Sequence, residues 1–353
     1  MDFLELSEAE FDKFEKKQRV GNFFQGVKRA RLRKLMGYDC FLLGVKKQNK
    51  VIAAALVLGR KGEAWLPLGP ILDYENQELL EFFVTKALDF VKNKNFNCFE
   101  IFPPVLLSVR DVHGVKLKQD DQKKLFEMFK KLGFKHEGMT TKVVMRANRW
   151  MCVKDLKDFQ TIEDVRKSYK KNVRNKLRKV GKLLELHVLE DKSELKEWIK
   201  AIEESDRKNG INSRKLKYFE QIWDVFGDEV QFMVVRKKEN KELISSRVVF
   251  YHPNETVTFV SGTIQKNRRL NGMTVMQDWQ LAECLRRGQK RINFYGLEGD
   301  FTKKNKLLEF KSGFGVEVEE YVGGFKYVIR PLAYYAQVLK DKLYRQLYNL
   351  LKR

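Results

Sequence analysis

The chain has 353 residues, room for two domains or one large one around a buried core. Lys+Arg 70 against Asp+Glu 47 give a formal charge of +23, which points to a polyanionic partner such as nucleic acid, anionic lipid or a phosphorylated substrate, a lysine-rich proteome being the plainer source. Cys40, Cys98, Cys152 and Cys284 form no C-x-x-C pair, the four histidines form no ligand-spaced cluster, and no apolar run is long enough to span a bilayer, so the composition indicates no disulfide framework, no metal site and no membrane span.

The opening MDFLELSEAEFDKF is acidic and amphipathic, unlike a signal peptide, and with the dispersed cysteines it fits a cytoplasmic protein. DCFLLGVKKQNKVIAAALVLGRKGEAWLPLG holds three strand-like runs broken by polar or glycine turns, the pattern of an antiparallel meander. NQELLEFFVTKALDFVKNKN predicts a helix that buries Leu79, Leu80, Phe83, Ala87, Leu88 and Val91. FNCFEIFPP is a buried strand that stops at Pro103-Pro104, because proline cannot donate to a ladder. A helix, DDQKKLFEMFKKLGF, and a strand, TTKVVMR, follow. Near residue 150 the pattern restarts with the strand WMCVKDL and the helix TIEDVRKSYKKNVRNKLRKVGKLL, which has Thr161 as N-cap. SELKEWIKAIEESDRKNG and RKLKYFEQIWDVFG are two more helices. The strands VQFMVVRKK, ELISSRVVFYH and ETVTFVSGTI, the helix TVMQDWQLAECLRRGQ and the strand RINFYGL come next. The C-terminal PLAYYAQVLKDKLYRQLYNLLKR is one amphipathic helix opened by proline. Strands, helix and strand, twice over, predict an α/β (α+β) chain of two similar domains.

Three stretches carry candidate chemistry. RKSYKKNVRNKLRKVGK, Arg166 to Lys182, has nine basic residues and no acidic one. On one helix Lys167, Lys171, Arg174 and Arg178 share a face while Val173, Leu177 and Val180 face inward; like charges at that spacing repel, and phosphates would relieve them. A solvated helix face is the plain alternative. QKNRRLNGMT, Gln265 to Thr274, resembles the R-x-x-G-x-G/A loop with which GNAT acetyltransferases hold acetyl-CoA pyrophosphate, although the last glycine is absent; a structural turn explains it as well. LLEFKSGFGVEVEEYVGG places Lys311 between Phe310 and a glycine-spaced turn, where a fixed ammonium could oppose an oxyanion. A buried aromatic beside a snorkelling lysine is the duller reading.

The order of these stretches resembles the FemABX family of aminoacyl-tRNA-dependent peptidyltransferases over nearly the whole chain. NFFQGVKRARLRKLMGYD is similar to the family's Q-S-x-x-W-x-x-x-K-x-x-x-G-W opening, with Gln25, Gly37 and Tyr38 in place. LPLGPILDY, FEIFPP, RWMCVKDL, the basic helix and LLEFKSGFGVEVEEYVGGF match later family segments. The resemblance implies two tandem GNAT-like domains, residues 1–149 plus 321–353 and residues 150–320, with the C-terminal helix packed back on the first. It implies transfer of an amino acid from aminoacyl-tRNA, a co-substrate needing no other cofactor, to the side-chain amine of the third stem-peptide residue of a UDP-linked or lipid-linked muramyl pentapeptide. Lys311 would stabilise the oxyanion with Phe310 beside it. Arg33, Arg214 and Tyr218 would hold the substrate phosphates, and Lys167, Lys171, Arg174 and Arg178 the tRNA. The enzyme would be a cytoplasmic monomer of the compact type without a coiled-coil arm. The C-terminal helix interleaves Tyr334, Leu339, Leu343 and Leu347 with Lys340, Lys342, Arg345 and Lys352, so contact with the inner membrane face is the alternative to its packing on the first domain. Arg29, Phe102 and Phe259 depart from the family pattern, which expects tryptophan, aspartate and tyrosine there. Two other readings remain, an acetyl-CoA-dependent N-acetyltransferase and a catalytically inert RNA-binding protein.

Overall fold

The computed structural model describes residues 1–143, 146–302 and 305–351, with the side chains of 345 and 347–351 left aside. The first half runs β1 (Asp2–Glu5), α1 (Glu8–Glu15), α2 (Val27–Leu35), β2 (Asp39–Lys47), β3 (Lys50–Arg60), β4 (Glu63–Leu66), α3 (Gln77–Asn93), β5 (Cys98–Ile101), β6 (Leu106–Arg110), β7 (Lys116–Gln119), α4 (Lys123–Lys131) and β8 (Lys135–His136). The second half begins with β9 (Trp150–Asp155), α5 (Ile162–Lys167), α6 (Lys171–Val180), β10 (Leu184–Val188), α7 (Leu195–Lys208) and α8 (Leu216–Phe226). It continues through β11 (Val230–Lys237), β12 (Leu243–Tyr251), β13 (Thr256–Thr263), α9 (Gly272–Arg286) and β14 (Arg291–Gly296). The chain closes with α10 (Lys306–Ser312), β15 (Glu317–Tyr321), β16 (Phe325–Val328) and α11 (Pro331–Leu351).

The same unit occurs twice. β2-β3-β4 is an antiparallel meander, and α3 then crosses over so that β5 lies parallel to β4. β11-β12-β13 repeats the meander, and α9 crosses over so that β14 lies parallel to β13. Each crossover helix covers a sheet face with apolar residues: α3 buries Leu79, Leu80, Phe83, Val84, Ala87, Leu88 and Val91, at about 1.5–3 kcal/mol for each large side chain. Thr161 caps α5 as expected, accepting from the Asp164 N–H at 3.2 Å.

The strands do not divide at residue 150. The sheet orders are β1-β2-β3-β4-β5-β16-β8 and β10-β11-β12-β13-β14-β9-β15-β6-β7. The β6–β7 hairpin, inside the range expected for the first domain, therefore extends the second sheet, while β16 returns to the first. The expected strand TTKVVMR does not form at Thr140–Val143 or Arg146; Val144 and Met145 lie outside the described residues.

Two further expectations need correction. The basic segment is two helices rather than one, because Lys170 is extended (φ −60°, ψ 147°) and its N–H donates to the Gly313 carbonyl at 2.9 Å. The C-terminal helix does start at Pro331, but it does not bury its apolar side along its first four turns. Leu332 is 90% exposed, and Tyr335, Leu339, Leu343 and Tyr344 are exposed with it. Arg345, Leu347 and Lys352, expected on the same helix, lie outside the described side chains and residues. As expected, the chain between β10 and β11 is too short for a coiled-coil arm, and α7 and α8 instead bury Trp198, Ile202, Phe219 and Ile222 in the core.

Candidate active site

α2 comes from the first half and packs beside α8 of the second; Lys28 donates to the Phe226 carbonyl at 2.9 Å and pairs with Glu229 at 3.1 Å. The loop before α2 is fixed by side-chain amides. Asn22 donates to the Leu68 carbonyl at 2.9 Å, and fully buried Gln25 accepts from the Leu56 N–H at 2.7 Å while donating to Pro67. Phe23 and Phe24 are thereby directed into the second half, where Phe23 stacks on Phe250 at 4.1 Å and Phe24 lies 5.8 Å from Tyr295. At the other end Gly37, at φ +75°, turns the chain so that the Tyr38 ring comes within 4.9 Å of the Arg33 guanidinium. That turn explains the expected Gly37-Tyr38 pair.

These constraints bring together half-buried Arg33 on α2, exposed Arg214 just before α8 and buried Tyr218 in the first turn of α8. The Arg214 guanidinium lies 5.4 Å from the Tyr218 ring and 5.5 Å from the Phe259 ring. Burial pushes Arg33 down to about 10, and the neighbouring charges of Arg29 and Arg214 add to the effect. Arg29, noted from the sequence only as a departure, is in this cluster too, 5% exposed and 5.9 Å from the Phe259 ring.

Lys311 is on α10, separated by Ser312 from the Gly313 that ends the helix, and it is 5% exposed. Its ammonium donates to the carbonyls of Tyr295 at 2.8 Å and Gly296 at 2.9 Å. Burial lowers its pKa to about 8. The two acceptors belong to a bulge: β14 pairs Asn293 with Val153, then skips to pair Gly296 with Met151. Tyr295 at the bulge has φ +67°, an uncommon conformation for a tyrosine. Its phenol, raised by burial, is drawn back by the charges of Arg29 and Arg214. Tyr295 thus joins the two features, carrying the Lys311 acceptor on its backbone and facing the arginines with its ring. Nothing in the letters RINFYGL marks that role except the glycine that follows. Phe310 is half-buried and meets Phe314 at 5.4 Å.

The basic segment docks against the same helix. Lys170 donates to the Ser312 hydroxyl at 2.8 Å, and Lys154 donates to the Ser168 hydroxyl and the Gly315 carbonyl at 2.9 and 3.0 Å. Lys154, buried and lowered to about 8, was not anticipated. Of the expected phosphate-binding face, Lys171, Arg174 and Arg178 share α6, whereas Lys167 lies on α5 and pairs with Asp164 at 2.9 Å. Arg174 donates to the carbonyls of Lys167 and Tyr169, closing the end of α5, and Arg178 meets Asn175. At the acetyl-CoA-like loop, a Cβ on Gly272 would come within 2.7 Å of Ile244, so close packing on β12 accounts for that glycine. Phe102 is buried in the first core. No metal-binding group of His, Cys, Asp or Glu occurs among the described residues. A cavity of about 760 Å³ lies apart from this site, between β7 and α4, lined by Leu107, Gln119, Asp121, Phe126 and Met139 among others.

The FemAB family matches residues 6–237 and 234–342. The chain belongs to the FemAB family. Staphylococcus epidermidis aminoacyltransferase FemB is 26% identical over 423 aligned residues, covering 98% of this chain and 100% of that protein. The crystal structure of FemX superposes with a TM-score of 0.81 at 18% identity, over 95% of this chain and 99% of that one. A tandem GNAT protein from the clavulanic acid pathway superposes at 0.53 and 9% identity, over 93% and 98% of the two chains. The FemAB-family chain is accordingly an aminoacyltransferase with two GNAT-like domains.

Proposed function

We propose that this FemAB-family chain moves an aminoacyl group from aminoacyl-tRNA to the side-chain amine of the third stem-peptide residue of a peptidoglycan precursor. The observation that carries the reading is the buried Lys311 ammonium bound to the Tyr295–Gly296 bulge, whose Tyr295 ring faces the arginine cluster. The amine nitrogen attacks the ester carbonyl, forming the C–N bond and a tetrahedral oxyanion. That intermediate breaks its C–O bond to the ribose, and the departing oxygen takes up the proton the amine gives up. An ammonium has three N–H donors; two are spent on Tyr295 and Gly296, leaving one for the oxyanion. Arg33 and Arg214 hold the precursor's diphosphate with Tyr218 beside them, and Lys171, Arg174 and Arg178 meet tRNA phosphates.

The two carbonyl contacts favour a second role for Lys311, positioning the Tyr295 bulge rather than touching the reacting atoms. A measurement separates the readings: transfer of radiolabelled amino acids from mixed charged tRNA onto UDP-linked and lipid-linked pentapeptides, with wild type and Lys311→Ala in parallel. Loss of transfer with unchanged acceptor affinity supports the oxyanion role, and loss of acceptor affinity supports positioning. Transfer from acetyl-CoA without tRNA would favour the acetyltransferase reading, and tRNA binding without transfer would favour the inert one.

Among the described residues, no helix is long and apolar enough to cross a membrane. α11 instead supports peripheral contact with an anionic leaflet, since exposed Leu339 and Leu343 are flanked by exposed Lys340 and Lys342 on a chain of charge +23.

A further inference from the structure

Arg29 precedes Arg33 by one helical turn on α2 and points the same way, into the junction of the two halves. It is 5% exposed, and its Nη1 has no hydrogen-bond partner among the described residues. The same holds for Nε of Arg33. No carboxylate pairs with Arg29, Arg33 or Arg214 in the described structure. Around Arg29 stand rings instead: Phe23 at 5.2 Å, Phe259 at 5.9 Å and Phe24 at 6.0 Å. Ring faces attract a cation but accept few of its hydrogen bonds. Arg29 is buried, Arg33 half-buried and Arg214 exposed at the mouth of the cluster, so the site opens to solvent on one side. Like charges gathered there cost stability, most at buried Arg29, unless an anion completes the site. Three guanidinium forks, aromatic walls and unused N–H groups together describe a receptor for an anion with several oxygens and at least two charges.

We propose that Arg29 is a third ligand of the diphosphate, spanning its two phosphoryl groups with Arg33 and Arg214. This rests on the reading of the arginine cluster as the substrate phosphate site. Phe259 has no hydroxyl to offer the anion, and Arg29 and Arg214 both lie against its ring, so the charge of Arg29 supplies donors where that wall has none. The chemistry is shared by nucleotide-linked and lipid-linked diphosphates, and both present the same pair of phosphoryl groups.

Calorimetric titration of wild type, Arg29→Met, Arg29→Lys and Arg33→Met with inorganic pyrophosphate, orthophosphate and UDP-linked pentapeptide tests it. Wild type is expected to prefer pyrophosphate over orthophosphate at least tenfold. Arg29→Met should weaken pyrophosphate by about tenfold to a hundredfold, with Arg29→Lys recovering part of the loss. The KM for the pentapeptide acceptor should rise by a similar factor, more than kcat falls, and a lipid-linked acceptor should show the same rise. Without ligand, Arg29→Met should melt no lower than wild type, because an uncompensated buried charge has been removed. If Arg29→Met binds pyrophosphate like wild type while Arg33→Met does not, the cluster is a phosphate site and Arg29 is no part of it. If wild type binds neither pyrophosphate nor the pentapeptide, the reading of the whole cluster falls and takes this proposal with it. Should Arg29→Met not fold, Arg29→Lys decides: pyrophosphate affinity and preference over orthophosphate both equal to wild type would overturn the bidentate role.

Discussion

The Lys311 ammonium donates to the Tyr295 carbonyl at 2.8 Å, and so fixes the backbone of a residue held at φ +67°. Its charge and its burial pull in opposite directions with pH. The folded-state pKa is about 8, below the 10.5 of the unfolded chain. Between those values the unfolded state binds more protons, so stability rises with pH across that window. Below about 8 both states are protonated and the cost of burying the charge is fully present. In the oxyanion role the active form is the ammonium, so kcat should fall as pH rises through about 8. Lys154 titrates in the same range, which makes the difference from Lys311→Met the informative quantity. Denaturant melts from pH 7 to 10.5 should show wild type gaining stability relative to Lys311→Met, while the variant's kcat is lower by about a hundredfold to a thousandfold.

Gly296 accepts the second hydrogen bond from Lys311, and a Cβ there would lie 2.1 Å from the Asn148 side chain. Gly296→Ala must therefore displace Asn148 or the bulge. The expected cost is about 1–3 kcal/mol of stability by overpacking. Transfer should drop by more than stability accounts for, at a temperature where the variant is fully folded. Activity equal to wild type in the folded variant would mean that the bulge geometry is not needed for the reaction.

The basic helices should separate by function. Lys171→Ala and Arg178→Ala should each weaken tRNA binding and flatten its salt dependence by about one phosphate contact. Lys167→Ala should do less, because Lys167 already pairs with Asp164. Arg174→Ala should also lower stability, by about 1 kcal/mol, since it removes donors from the Lys167 carbonyl that ends α5 and from the Tyr169 carbonyl just beyond it. Filter binding across a salt series, read with thermal melts, distinguishes these outcomes.

On α11, Leu339→Asp with Leu343→Asp should abolish cosedimentation with anionic vesicles and leave the melting temperature within about 1 °C, because both side chains are exposed. A large fall in melting temperature would mean that the helix packs on the protein in solution.

Much of this was legible in the letters. The repeated meander shows in the alternation of strands, and the resemblance to the FemAB family singled out Arg33, Arg214 and Tyr218, which the fold brings together although Arg33 lies 181 or more residues from the other two. What stayed hidden depends on contacts distant in sequence. Nothing local breaks the basic helix at Lys170; the Gly313 carbonyl, 143 residues away, does it. Arg29 reads as a lost tryptophan until α2 and α8 meet and place it beside two other arginines. The strained turn at Tyr295 is invisible because tyrosine is a poor marker for positive φ. The expected seat of α11 failed for the converse reason: an amphipathic pattern says which side is apolar, and not what lies opposite.

The exchange of strands between the two halves has a practical consequence for taking the enzyme apart. A cut at residue 150 would leave the N-terminal piece without β16, which lies between β5 and β8, and would carry β6 and β7 away from β15. Each fragment would thus display raw strand edges, the usual template for aggregation. Grafting one half onto another FemAB member as a unit is bound to fail at the same seam. Swapping only α2, or only the segment from Arg214 to Tyr218, leaves both sheets whole, so the arginine cluster can be exchanged without opening a strand edge.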